Sequence, residues 1–170
     1  LSDEVLEYLS PEGDQFFLDG TVGGGGHTRA ILDACATCRV LAVDRDPQAI
    51  AEAKEALAPV RDRVRFLQVR FDEAPHDIEV KDQGLDGALL DLGVSSHQLD
   101  DDDRGFAFRH GVALDMRMNE AEALDARIFL NEAEEDELVR VFRDYGEEPK
   151  ARRLAREVVK RRATESFETS

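Results

Sequence analysis

Three carboxylates, Asp19, Asp44 and Asp91, each close a short apolar run, and the first is followed at once by Gly20-Thr21-Val22-Gly23-Gly24-Gly25-Gly26-His27. A run of glycines leaves backbone N–H and C=O groups bare for a ligand, and glycine admits φ > 0 without a Cβ clash. The run sits after a strand pattern, Gln15 to Leu18, and before a helical one. That is the usual place of a nucleotide-like ligand in an open α/β sheet. A flexible linker would not be flanked so closely by strand and helix patterns.

Spacing narrows the ligand. A P-loop requires a lysine after its last glycine, and none follows here. The dinucleotide fingerprint requires glycines at offsets of two and five. Counted from Gly20, Val22 takes the second position; counted from Gly23, Thr28 takes the third. No Lys or Arg lies between Asp19 and Thr28 to meet a diphosphate, and Asp19 would repel one. The loop therefore suits a phosphate-free ligand with a cationic portion, which is the character of S-adenosylmethionine.

The elements that must position these acids follow from the pattern. Arg39 to Asp44 reads as a buried strand whose closing acid is placed to accept ribose hydroxyls. Asp46-Pro47 predicts a helix start, acid at the N-cap and proline at the first helical position, running to about Leu57. A third strand is predicted over Val64 to Val69 and a fourth over Leu85 to Asp91. Asp19, Asp44 and Asp91 then stand on one rim, outside the carboxyl ends of three strands. Solvated charge explains one such acid more easily than three.

From Asn119 onward the strand pattern gives way to helical periodicity, with apolar groups at Leu124, Ile128 and Phe129, then Leu138, Val139, Val141 and Phe142. We read residues 1–118 as a Rossmann-like cofactor-binding core and 119–170 as a helical insertion subdomain on the substrate side. Lys150 to Arg162 holds seven basic residues in thirteen, with Leu154, Val158 and Val159 on one side. It reads equally as an RNA-contacting helix or a solvated helix face.

The stretches Asp19 to Thr28 and Asp44-Arg45-Asp46-Pro47-Gln48-Ala49 resemble the bacterial 16S ribosomal RNA (cytosine-N4)-methyltransferase family (RsmH/MraW). So, more specifically, do Leu90 to Asp100, Arg104 to Phe108, Leu114 to Met118, Tyr145 to Glu148 and Ala151 to Ala155. The resemblance covers essentially the whole chain. It implies an α/β fold with a class I S-adenosylmethionine-dependent methyltransferase sheet, apparently lacking a short N-terminal and a long C-terminal segment of the family. It implies methylation of the exocyclic N4 amine of a cytosine in small-subunit (16S) rRNA, in the cytoplasm, with that RNA in the small ribosomal subunit as partner. The cofactor contacts it implies are Gly25, Gly26, His27, Asp44, Phe71, Asp91 and Gln98. Departures stand at His97, where the family has proline, at Phe129, where it has tryptophan, and at Pro149-Lys150.

The amine of cytosine is a poor nucleophile, and methylating it needs alignment and an acceptor for an N–H rather than a metal. Asp91, or the carbonyls after it, is the expected acceptor and so the catalytic candidate; a cofactor contact alone is the competing role. Phe106 and Phe108 are the candidate stacking partners of a base taken out of its stack. Arg104, Arg109 and Arg117 either hold phosphates or pair with Asp100 to Asp103, the better reading for Arg104.

A net charge of −16, with 18 arginines and 4 lysines, opposes simple attraction to RNA. Adaptation to high salt is one account of it. Cys35 and Cys38 lack the second pair that a zinc site of this kind needs, and read as two buried thiols. No apolar run is long enough for a membrane span and no signal peptide is visible. Two other functions remain open on sequence: a catalytically incomplete RNA-binding or assembly module that keeps the cofactor pocket, and a nucleotide-dependent oxidoreductase.

Overall fold

Side chains alternate in and out along the strands, and that alternation builds the first half of the molecule. The computed structural model describes residues 2–170, apart from the side chains of Ser96 and His97. It divides into two units, residues 1–93 and 94–170. The boundary read from periodicity, 118/119, falls inside the second.

The first unit holds α1 (Ser2–Leu9), β1 (Phe16–Asp19), α2 (Gly26–Ala34), β2 (Arg39–Asp44), α3 (Pro47–Ala56), β3 (Val64–Gln68), α4 (Ile78–Gln83) and β4 (Gly87–Leu89). The four strands form one parallel sheet in the order β3-β2-β1-β4. Phe17, Val40 and Ala42 face one side, where they pack with Ile31 and Leu32 of α2 and Ile50 and Ala53 of α3. Phe16, Leu18, Leu41 and Val43 face the other, with Ala74 and Val80. Both faces are covered, as a parallel sheet requires. This is the Rossmann-like α/β architecture expected.

Local signals set the element ends. Asp46 accepts a 2.9 Å bond from the N–H of Gln48, and Pro47 supplies a preset φ at the start of α3. β4 is shorter than the predicted Leu85–Asp91. Its partner β1 ends at Asp19, and Gly20 takes the last ladder bond by donating its N–H to the Leu89 carbonyl at 2.9 Å. Beyond Leu89 no neighbour continues. Before it, Asp86 turns its carboxylate onto the N–H of Phe16 at 2.7 Å.

Cys35 and Cys38 are joined by a disulfide at the end of α2, which corrects the reading of two free thiols. The Cys35 backbone closes the helix by donating to the Ile31 carbonyl, so the two-residue spacing bends the chain back within sulfur reach.

The second unit contains α5 (Ser96–Asp100), α6 (Ala126–Glu132), α7 (Glu135–Arg140) and α8 (Ala151–Arg162). Leu138, Val139, Ala151, Ala155 and Val158 form its core, with Phe129, Phe142 and Phe167 against them. Phe129 of the first predicted apolar group and Leu138, Val139 and Phe142 of the second thus share one cluster, while Leu124 is exposed. Leu154 is exposed as well, because the buried stripe of α8 runs through Ala151, Ala155 and Val158.

Arg104 is the largest fully buried side chain of this unit, not the surface residue predicted. Its Nη2 donates to the carbonyls of Arg117 and Met118 at 3.1 and 3.0 Å, and its Nε lies 3.7 Å from Glu120. A guanidinium carries enough donors to close a loop in this way. Arg109 does pair with Asp102 at 2.7 Å, and Arg117 grips Asp115.

Candidate functional site

The glycine loop is held from three strands at once. Val22 donates its N–H to the Val43 carbonyl at 2.9 Å, and Gly23 donates to Oδ2 of Asp44 at 3.0 Å. Oδ1 of Asp44 accepts the N–H of Asp46 at 3.0 Å. Each Asp44 oxygen thus keeps acceptor capacity for a further donor such as a ribose hydroxyl.

Gly25 is the N-cap of α2 with φ +85°, and a Cβ there would lie 3.1 Å from Leu57. Glycine is needed on both counts. At Gly24 and Gly26 a Cβ would meet nothing within 4 Å, so the backbone there borders open space. At Gly20 a Cβ would lie 2.5 Å from Leu90 and 3.1 Å from Phe71. Bare backbone at Gly20 therefore brings Phe71, the first residue of a 3-10 turn over Phe71–His76, against the loop.

Asp19 does not face the ligand side as the sequence suggested. It is 1% exposed. Its Oδ2 accepts the Thr28 hydroxyl at 2.7 Å and its Oδ1 the Thr21 N–H at 3.3 Å. Burial pushes its pKa above the ordinary value, and the nearby Asp44 charge adds to that; Thr28, Thr21 and His27 oppose it. Asp19 is an inner clip for the loop.

The hydroxyl of Thr21 accepts the Asp91 N–H at 2.7 Å, tying the segment after β4 to the loop after β1. His27 Nε2 meets Oδ2 of Asp91 at 3.2 Å. The His27 side chain is 17% exposed and that of Asp91 52%. Nδ1 of His27 is buried without a hydrogen-bond partner among the described residues. A carboxylate oxygen accepts, so Nε2–H is the donor in the contact with Asp91.

The predicted residues Gly25, Gly26, His27, Asp44, Phe71 and Asp91 all belong to the first unit; hydrogen bonds join the loop segment to Asp44 and Asp91, and Phe71 packs close to Gly20. Gln98 lies in the second unit, where its Oε1 accepts the Ser95 N–H at 3.0 Å and its Nε2 meets Met118 Sδ at 3.3 Å. Sequence reasoning missed Thr21 and Thr28 as clips. The legible signal was a threonine two residues after a strand-end acid, a spacing at which an aspartate oxygen reaches the following backbone. The reach of the His27 ring to Asp91 had no signal in the sequence.

A parallel sheet that presents bare glycine backbone after its first strand and a strand-end acid after its second defines an α/β protein with a nucleotide-type cofactor site. A model of the MraW methylase family matches residues 1–170. The ribosomal RNA small subunit methyltransferase H of Heliobacterium modesticaldum (strain ATCC 51547 / Ice1) is 49% identical over 173 residues, covering 99% of this chain and 55% of that protein. The protein of the same name from Geotalea uraniireducens (strain Rf4) is 45% identical over 172 residues, covering 100% and 55%. Among solved structures, the C-terminal domain of precorrin-6Y C5,15-methyltransferase from Rhodobacter capsulatus is similar with a TM-score of 0.47 and 17% identity, over 58% of this chain and 52% of that one. The chain belongs to the MraW methylase family. It spans about half the length of the curated relatives it matches. Among the described residues no helix is long and apolar enough to cross a membrane.

Proposed function

We propose that this chain carries the cofactor-binding and methyl-accepting site of an S-adenosylmethionine-dependent methyltransferase that acts on the N4 amine of a cytosine in small-subunit rRNA, within the cytoplasmic small ribosomal subunit. The observation that carries the reading is the pair of acids bonded to one glycine loop and the helix start that follows it. Asp44 is bonded to Gly23, and Asp91 to Thr21 and His27. When bound, S-adenosylmethionine supplies an electrophilic methyl group on a positively charged sulfur.

The residues present fit that ligand. The open backbone at Gly24 and Gly26 leaves room for its amino-acid portion. Asp44 keeps lone pairs for the ribose hydroxyls, and the half-exposed Phe71 ring offers an apolar wall to adenine. No cation in the loop asks for a phosphate.

Asp91 is the acceptor. Its carboxylate is half exposed, so a substrate amine can reach it. As the amine nitrogen becomes bonded to a fourth group it must shed a proton, and a carboxylate within hydrogen-bond reach takes it. The Nε2–H of His27 holds that carboxylate in place. Gln98 is a cofactor contact that the family resemblance implies.

The test is a calorimetric titration with S-adenosylmethionine, repeated on Asp44→Ala, followed by methyl transfer to unmodified small ribosomal subunits. Saturable binding abolished by the substitution, with transfer to the subunit, supports the reading. A folded chain that binds NAD and not S-adenosylmethionine would replace it with the oxidoreductase reading, and cofactor binding without transfer with that of an assembly module.

A further inference from the structure

Helix α8 breaks two rules of helix stability with the same residues. Arg152 and Arg153 occupy its first turn, where the positive end of the helix dipole favours acids, and that turn contains no acid. Arg152, Arg156 and Lys160 then follow at intervals of four, so like charges stack along one side. All four side chains are exposed. The opposite side, through Ala151, Ala155 and Val158, is buried.

Most arginines outside this helix meet a carboxylate, although Lys54, Lys81 and Arg63 do not among the described residues. Arg29, Arg39, Arg61, Arg65, Arg70, Arg109, Arg117, Arg127, Arg140 and Arg143 each meet a carboxylate within 4 Å. On α8, Arg156 reaches Glu135 at 3.5 Å. Arg152, Arg153 and Lys160 have no carboxylate partner among the described residues. In a chain with 38 acids and a net charge of −16, leaving these three unpaired on one stripe needs a reason.

We propose that the stripe Arg152-Arg153-Arg156-Lys160 is a docking surface for the phosphate backbone of single-stranded RNA. The stripe spans about 12 Å at 1.5 Å per residue, enough for several donors to follow one strand. Arginine is suited to the task because its planar fork meets phosphate oxygens in pairs. A polyanion turns the stacked like charges from a cost into an attraction, and the residues that weaken the isolated helix strengthen the complex. The local stripe also answers the objection raised by the net charge, because salt screens the distant acids more than it screens a direct contact.

The proposal rests on the reading of an RNA substrate, and its test separates the two. A fluorescent oligouridylate is titrated with the chain and with the triple variant Arg152→Gln, Arg153→Gln, Lys160→Gln over a range of KCl. Glutamine keeps the helix propensity of these positions, so the variant folds. A control triple, Arg61→Gln, Lys81→Gln, Arg143→Gln, changes net charge equally elsewhere.

The expected result is an affinity loss of about tenfold or more at low salt in the stripe variant, and a slope of log K against log salt smaller by about 2, at roughly 0.7 per phosphate contact. The control should keep the wild-type slope. The stripe variant should also melt no lower than the unmodified chain, because two unfavourable patterns are gone. Equal losses in both triples would mean a net-charge effect and overturn the proposal. Unchanged RNA affinity would also overturn it and point to an acidic protein surface as the occupant. If S-adenosylmethionine fails to bind while RNA affinity tracks the stripe, the methyl-transfer reading falls and the stripe stands. If the cofactor binds and the stripe variant holds RNA normally, the stripe alone falls.

Discussion

His27 Nε2, in the first turn of α2, lies 3.2 Å from Oδ2 of Asp91, 64 residues further along the chain. The contact lets the ring support the carboxylate. Replacing His27 with Phe keeps a ring of similar size and removes the donor. Single-turnover methyl transfer should then slow by about 10–100-fold, the range of a lost positioned hydrogen bond at a reacting group. Binding of S-adenosylhomocysteine, measured by calorimetry, should change much less. An equal loss in both would make His27 a binding residue only. Asp91→Asn should cost more than His27→Phe, because an amide accepts no proton.

Gly25 is constrained both by its backbone, with φ +85°, and by space, with Leu57 3.1 Å from the place of a Cβ. Gly25→Ala should destabilise the first unit by about 1–2 kcal/mol through left-handed strain and displacement of Leu57. Gly24→Ala, where a Cβ meets nothing, should leave stability nearly unchanged while lowering cofactor affinity. Urea denaturation and cofactor titration of the two variants check this contrast.

Asp19 sets a pH dependence of definite sign. Burial raises its folded pKa above 3.8. Its protonated form is the one the fold favours, so that contribution is present below the unfolded value and lost as pH rises through the folded one. Asp77 and Asp115 run the other way. Arg65 and Arg117 hold their carboxyls below the usual range, and that stability is lost as pH falls below 3.8 through the folded values. Asp19→Asn can keep both bonds, with the amide N–H donating to Thr28. It should raise the melting temperature at pH 7 by about 2–4 °C, if burial of the charge costs on the order of 1 kcal/mol. The advantage should shrink as the pH is lowered toward 4; thermal scans across that range test it.

Arg104 closes the loop that carries Arg117 and Met118. Arg104→Met removes the donors and leaves two carbonyls without them. The second unit should lose about 2–4 kcal/mol. Hydrogen exchange should accelerate at the amide of Met116, which donates to the Arg104 carbonyl.

The excess of acids gives a salt response. Repulsion within a net charge of −16 exceeds what exposed ion pairs return, so screening should stabilise the fold. The melting temperature should rise by about 5 °C or more between roughly 0.1 and 2 M KCl. A flat dependence would exclude adaptation to high salt.

What the sequence disclosed was whatever is written locally. The strand Arg39–Asp44, the cap-and-proline start at Asp46-Pro47 and the glycine loop all follow from residues within one or two turns of each other. The orientation of Asp19 did not, because it depends on Thr28 reaching back from the next helix. The burial of Arg104 depends on carbonyls 13 and 14 residues away, beyond the reach of a local pattern. The length of β4 was set by where β1 stops, not by its own apolar run. In the site, the acids were legible as strand ends. The threonines that fix them were not, since a hydroxyl shows its partner only after folding.

Thr21 gives its N–H to Asp19 and takes the N–H of Asp91 on its hydroxyl. One side chain therefore fastens the segment after the fourth strand to the loop after the first. Such a fastening works as a mechanical linkage: a shift imposed at the glycine end is passed to the acid end, and the reverse. Ligands that touch the two ends should then not bind independently, each changing the affinity of the other by the same factor. Cutting the fastening with Thr21→Val would show it as a loss of that mutual effect, with each ligand still able to bind alone.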